Sequence, residues 1–172
     1  MPGDPLAAWW PRLVGYWRRR FDRPGPDAGP RGPELTLLAR GVRRLSEGLT
    51  GARRLSGSLY WDDPELQGAY LLYFWPVSYL QARRALLERS TPPGPVLDLG
   101  AGPGPAGLAA LDAGAPCATF ADRHEPSLRI AAVLARRAGY RARTALWDPT
   151  RRRAHLPGRY RTVLLGHVLN EL

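Results

Sequence analysis

The sequence predicts an α/β domain built on a parallel sheet and preceded by a helical N-terminal extension. Three observations carry this. Apolar residues recur at helical spacing as far as Leu87; after the turn signal Thr91-Pro92-Pro93-Gly94-Pro95, short apolar strands alternate with helices; and the first strand runs into a glycine loop, Gly100-Ala101-Gly102-Pro103-Gly104. Alternation of this kind forces parallel pairing through right-handed crossovers.

Residues 1–21 form the first segment. Asp4-Pro5 supplies a cap and a proline for a helix start, and Leu6, Trp9, Trp10, Leu13, Val14, Trp17 and Phe21 follow at helical spacing. The product is an amphipathic helix rich in Trp and Arg, which Pro11 kinks or restarts because an interior proline removes a hydrogen bond and crowds the preceding turn. Its apolar stripe serves either to pack on the rest of the chain or to face a membrane or a ribosome. Arg18 to Arg20 read as a solvated face. Residues 22–33, with seven Gly or Pro in twelve positions, read as a linker.

A helical pre-domain, residues 34–91, comes next. Leu35, Leu38, Ala39, Val42, Leu45 and Leu49 step by three and four, predicting one helix from Glu34 to Leu55. Asp62-Asp63-Pro64 starts another, which runs towards Tyr73, breaks or kinks at Pro76 and resumes to Leu87. Its aromatic run from Tyr70 to Tyr79 serves as core or as a wall beside a bound base. Residues 92–172 hold the sheet. Val96–Leu99, Ala118–Ala121, Thr144–Leu146 and Thr162–Leu165 read as four strands, with helices near Pro105–Ala113 and Glu125–Ala138 between the first three.

The chain has 172 residues and a formal charge of +10, and all 25 of its cations are arginine. A GC-rich coding sequence accounts for arginine replacing lysine and for a single isoleucine, but not for the excess of cations over 15 acids. That excess favours a polyanionic partner such as RNA. It is shared evenly, +5 on either side of Pro92, so no dedicated basic arm is indicated. The one cysteine, Cys117, excludes an internal disulfide and a multi-cysteine zinc or iron–sulfur site within this chain. No apolar stretch approaches the roughly 18 residues of a transmembrane helix. With no basic n-region at the N-terminus, the cytoplasm is the expected compartment.

The chemistry gathers at the carboxyl ends of the predicted strands. Gly100, Gly102 and Gly104 let the backbone approach a ligand, and the helix that follows presents free N–H groups. Asp98, two residues before Gly100, is placed to meet a cationic group such as the amine of a methionine moiety. Asp122 ends the second strand, where a carboxylate takes both hydroxyls of a ribose. Trp147 and Asp148 end the third, an indole and a carboxylate suited to an adenine ring and its exocyclic amine. A dinucleotide-dependent oxidoreductase is the weaker alternative: its third glycine would fall at position 105, which is Pro105, and the offset register Gly102-Gly104-Gly107 begins late after the strand.

On these residues the sequence resembles the class I S-adenosylmethionine-dependent methyltransferases, with Asp98, Gly100, Gly102, Gly104, Asp122 and Asp148 at matching places. The resemblance implies a Rossmann-like sheet, of which this chain supplies only the first four strands, and reads the sequence as a fragment or truncated form. A closer resemblance covers residues 34–172. Leu45-Ser46-Glu47-Gly48-Leu49-Thr50, Arg53-Arg54-Leu55, the aromatic run, the glycine loop and Gly166-His167-Val168-Leu169-Asn170-Glu171-Leu172 look like the methyltransferase-like proteins of the mitochondrial small ribosomal subunit and their bacterial homologues. That family implies a partner in the small ribosomal subunit or ribosomal RNA and a role in rRNA methylation, ribosome assembly or translation. A non-catalytic, RNA-binding assembly factor is the alternative. The family's iron–sulfur cluster is not carried over to a chain whose only cysteine is Cys117. His167 and Asn170 follow the fourth strand, where they either position the methyl acceptor as catalytic residues or cap a helix.

Overall fold

Proline placement decides where the N-terminal helices begin. In the computed structural model of the protein, residues 3–50, 60–89, 91–148, 150, 156 and 158–166 are described, and the chain divides into units Met1–Pro76 and Val77–Leu172. Helix α1 (Trp10–Arg20) carries Pro11 in its first turn, where the missing N–H costs nothing. Ahead of it Asp4 Oδ1 accepts the Leu6 amide at 2.9 Å and closes a turn. Pro11 therefore restarts the helix. The apolar stripe is spent inside the unit: Leu13, Val14 and Trp17 are buried, the Trp17 indole donates to the Pro64 carbonyl at 2.8 Å, and Trp9 packs on Trp75 with ring centroids 5.5 Å apart.

Arg18 corrects the expectation of a solvated arginine run. It is 3% exposed, and its two terminal nitrogens donate to Glu34 Oε1 and Oε2 at 2.9 and 2.8 Å. The same nitrogens donate to the carbonyls of Pro24, at 2.6 Å, and Gly29, at 2.9 Å. Segment 22–33, expected as a linker, closes around a buried guanidinium. Gly25 shows why the composition suits this, since its φ of +137° strains any side chain and a Cβ there would lie 2.5 Å from Arg18 Nη1. Arg19 and Arg20 remain on the surface, facing Asp27 and Asp62.

Helix α2 (Pro33–Thr50) packs on α3 (Pro64–Ala69) through small residues. A Cβ on Gly41 would stand 2.6 Å from the Glu65 carbonyl, so the two backbones meet where no side chain fits. Asp63 caps α3, its Oδ1 accepting the amides of Glu65 and Leu66 at 2.8 and 3.2 Å. Glu65 is buried between Arg40 and Arg44, which donate to it at 2.6 and 2.8 Å. Burial alone would push its carboxyl up, but those hydrogen bonds outweigh burial and hold it below the ordinary range. The predicted helix end at Leu55 lies outside the described residues.

The aromatic run stays helical through Pro76. Tyr70–Phe74 form a π-helical turn in which the Trp75 amide reaches back to the Tyr70 carbonyl, and α4 (Trp75–Leu87) continues without a break. A wider turn ahead of a proline accommodates the residue that lacks an N–H.

In the second unit β1 (Val96–Leu99), β2 (Ala118–Asp122), β3 (Ala142–Leu146) and β4 (Thr162–Leu165) form one parallel sheet in the order β3-β2-β1-β4. Val96 sits beside Ala118 on one side and Thr162 on the other. Helices α5 (Pro105–Asp112) and α6 (Glu125–Arg137) make the crossovers. Val96, Phe120, Leu108, Ile130 and Leu134 are among the core residues. The chain progresses from β1 outward to β3 and then places β4 on the opposite side of β1. In open α/β sheets, ligands bind at the carboxyl edge beside such a reversal.

Candidate functional site

The loop after β1 turns through three glycines with left-handed backbone, Gly100, Gly102 and Gly104, at φ of +64°, +52° and +80°. Gly104 ends the loop as the residue before α5, and Pro105 opens the helix. A Cβ on Gly104 would lie 2.9 Å from the Phe120 ring. The loop is thus drawn down onto β2.

Beneath it lies Asp98, 1% exposed. Its Oδ2 accepts the Gly107 amide in the first turn of α5 at 2.8 Å. Burial pushes this carboxyl up to about 7; the Gly107 hydrogen bond opposes the shift, and the nearby Asp122 carboxylate adds to it. Asp98 thus ties the end of β1 to the first turn of α5 beneath the glycine loop.

Asp122 joins three strand ends. Its Oδ2 accepts the Gly102 amide of the glycine loop at 2.8 Å, and its Oδ1 accepts the His124 amide, also at 2.8 Å. Its carbonyl accepts the Trp147 amide at 2.9 Å, while the Ala101 amide donates to the Ala121 carbonyl at 3.1 Å. Trp147 and Asp148 are half-buried just after β3. Asp148 Oδ1 accepts the amide and hydroxyl of Thr150 at 3.0 and 2.7 Å. Gly166, just past β4, stands near α5, where a Cβ would meet that of Ala106 at 3.6 Å. The site residues named from the sequence at the first three strands thus share one edge of the sheet. His167 and Asn170 lie outside the described residues.

Two contributors have roles that the sequence reading did not assign. Gly107 belongs to the offset glycine register, and its role is packing: a Cβ there would lie 2.5 Å from the Phe120 ring and 3.0 Å from Asp98 Oδ2. His124 caps α6, its Nδ1 accepting the Ser127 amide at 3.3 Å, and histidine is not among the usual capping residues. The aromatic run divides between uses, with Leu71, Trp75 and Tyr79 buried and Tyr73 exposed. Among the described residues, no group of His, Cys, Asp and Glu is arranged to hold a metal ion, and no helix is long and apolar enough to cross a membrane.

The parallel β3-β2-β1-β4 sheet, with a glycine loop after β1 and a helical region earlier in the chain, gives an α/β fold that this chain shares with a solved methyltransferase. The mitomycin 7-O-methyltransferase MmcR is a structural neighbour, with a TM-score of 0.54 and 20% identity over 99% of this chain and 48% of its own. A Pyrococcus horikoshii protein, PH1948, provisionally described as an RNA methyltransferase, aligns over 66% of this chain and 52% of its own, with a TM-score of 0.35 and 16% identity. The chain spans about half the length of each of these structures. No protein-family profile and no curated protein sequence matches it.

Proposed function

We propose that this chain is the S-adenosylmethionine-binding half of a methyltransferase-like protein that works with the small ribosomal subunit in the cytoplasm, in rRNA methylation, assembly or translation. The observation that carries the cofactor assignment is Asp122, which ties the glycine loop to the end of β2 and presents a carboxylate at the sheet's carboxyl edge. A carboxylate has about four acceptor positions. Two serve Gly102 and His124, and the remainder suit the two hydroxyls of a ribose.

The other donors and surfaces fit the same group. Trp147 offers an indole for an adenine ring, Asp148 an acceptor for its amine, and Gly100, Gly102 and Gly104 a backbone without side chains for close approach. Asp98 serves the methionine end by bracing the loop. Once bound, the cofactor supplies an activated sulfonium methyl group, so this chain's own work is to hold and orient, with little acid–base chemistry required. His167 and Asn170 are assigned to positioning the acceptor. The ribosomal partner rests on the sequence resemblance over residues 34–172 and on the net charge of +10.

Calorimetry with S-adenosylhomocysteine tests the cofactor. Asp122→Ala should weaken binding by about 1–3 kcal/mol, tenfold or more. Tight NADH binding without any response to S-adenosylhomocysteine would replace this reading by an oxidoreductase. Loss of one methyl group from ribosomal RNA in His167→Ala cells, restored by the wild-type gene, would establish an enzyme; intact methylation with defective subunits on Asp98→Ala would favour an assembly factor.

A further inference from the structure

The arginines of the second unit are not evenly used. Arg129 pairs with Glu125 and Arg84 with Glu88, whereas Arg136, Arg137, Arg141 and Arg143 have no ion pair among the described residues. All four are exposed. They fall within eight consecutive positions where α6 ends, turns through Gly139 and enters β3.

This corner is held in shape by its backbone. The Gly139 amide donates to the Arg136 carbonyl at 3.1 Å, and the Tyr140 amide donates to that of Ala135 at 2.9 Å. Gly139 takes φ of +78°, the left-handed residue that closes a helix end. The Arg141 carbonyl accepts the Ala118 amide at 3.1 Å, which locks the strand entry to β2. Tyr140 is anchored too, its hydroxyl donating to Asp112, which also accepts the Tyr79 hydroxyl. The acid that approaches this corner therefore has both oxygens occupied by tyrosine hydroxyls. β3 is the outermost strand of the described sheet on this side, so one of its backbone edges is open.

We infer that this corner is a docking surface for the phosphate backbone of RNA, separate from the cofactor edge. It lies at the amino ends of the strands, whereas Gly102, Asp122 and Trp147 lie at the carboxyl ends. Four exposed guanidiniums at one fixed turn offer the positive charge and the paired N–H donors that phosphates accept, and little backbone order remains to be lost on binding. Recognition here is of the backbone and not of base sequence. The inference rests on the RNA reading proposed above and adds where the RNA is held.

The test uses the whole chain and a fluorescently labelled RNA hairpin, with affinity followed across a salt series. Replacing Arg136, Arg137, Arg141 and Arg143 by Gln should lower affinity at least about tenfold and reduce the salt slope by about 0.7–0.9 for each phosphate that is no longer neutralised. S-adenosylhomocysteine affinity should not change. A charge-matched control replaces Arg19, Arg20, Arg84 and Arg129, each exposed and paired with a carboxylate, and should lose far less. Equal losses in both variants would show diffuse charge and overturn the corner assignment. So would unchanged RNA affinity together with new self-association, because arginines on an edge strand also guard it against pairing with other chains. An Arg137→Gln/Arg141→Gln double variant should show about half the slope change, which guards against a folding artefact in the fourfold one. Failure of the wild-type chain to bind RNA at all would instead defeat the RNA reading itself.

Discussion

The two units treat ions in opposite ways. In Met1–Pro76, the buried charges are matched inside the fold: Arg18 with Glu34, and Arg40 and Arg44 with Glu65. In Val77–Leu172, the buried carboxylate Asp98 meets a backbone amide, as does the half-buried Asp122, while four arginines at the α6–β3 corner meet no acid among the described residues. Matched ions of this kind fix a packing arrangement and are spent on each other. Groups without a counter-charge are the ones a cofactor or a polyanion can complete. The helical unit therefore reads as built for shape, and the α/β unit as built for binding.

The sharpest way to break that comparison is at Arg18. Arg18→Met leaves the half-buried Glu34 without its cation and removes the donors that satisfy the Pro24 and Gly29 carbonyls. Removing one partner of a buried pair costs about 3–5 kcal/mol. Urea unfolding should show a loss of that order, and a change below about 1 kcal/mol would mean that segment 22–33 is held by something other than the guanidinium.

Asp98 supplies the matching test in the second unit, with the opposite sign. Because burial raises its carboxyl to about 7 from 3.8, the folded chain keeps a proton that the unfolded chain releases. Stability from this group is complete below about pH 4 and is lost as pH rises through about 7. Asp98→Asn keeps an acceptor for the Gly107 amide and removes the titration. Its stability relative to wild type should rise across that window, reaching a few kcal/mol above pH 7. Parallel pH curves for the two proteins would overturn this account of Asp98.

How much of this was legible follows from which forces are local. The starts of α3 and α5 and the four strands could be read because a cap, a proline or a run of apolar residues states them within a few positions. The edge formed by Gly102, Asp122 and Trp147 was legible because strand alternation fixes which ends come together. Arg18 was not legible: its three partners lie at positions 24, 29 and 34, and an arginine beside two others looks solvated until the chain between them turns back. Pro76 was legible as a break or kink, but not the form the structure gives it, a widened turn over Tyr70–Phe74 after which the helix resumes to Leu87. The α6–β3 corner was invisible to a search for charge runs because Ala138, Gly139 and Tyr140 interrupt it in sequence, while in the structure all four arginines flank one helix–strand turn.

A smaller effect is expected at Gly107, where shape is decisive in the second unit as well. A methyl group there would stand 2.5 Å from the Phe120 ring and 3.0 Å from Asp98 Oδ2. Both are buried, so neither can swing aside into solvent. Overpacking of this kind costs about 1–3 kcal/mol. Gly107→Ala should therefore destabilise the chain by that amount and also weaken S-adenosylhomocysteine binding, because the same helix turn carries the amide that Asp98 holds. Loss of stability with cofactor affinity intact would separate the brace from the site.

The smallest effect sharpens the contrast between ion pairs. Arg84 and Glu88 are four residues apart and meet at 3.3 Å, the same pair chemistry as Arg18 and Glu34, but their side chains are 82% and 69% exposed against 4% and 17%. Water screens the attraction, and both long side chains give up rotamer freedom to meet. The orientation, with the cation on the N-terminal side, is also the weaker one on a helix. Arg84 does sit in the last turn of α4, where a cation complements the helix dipole. Together these terms come to about 0.5 kcal/mol or less. Arg84→Ala should shift the urea midpoint barely beyond measurement error, and the remaining shift should vanish in high salt. A loss approaching that of Arg18→Met would show that burial is not what separates the two pairs.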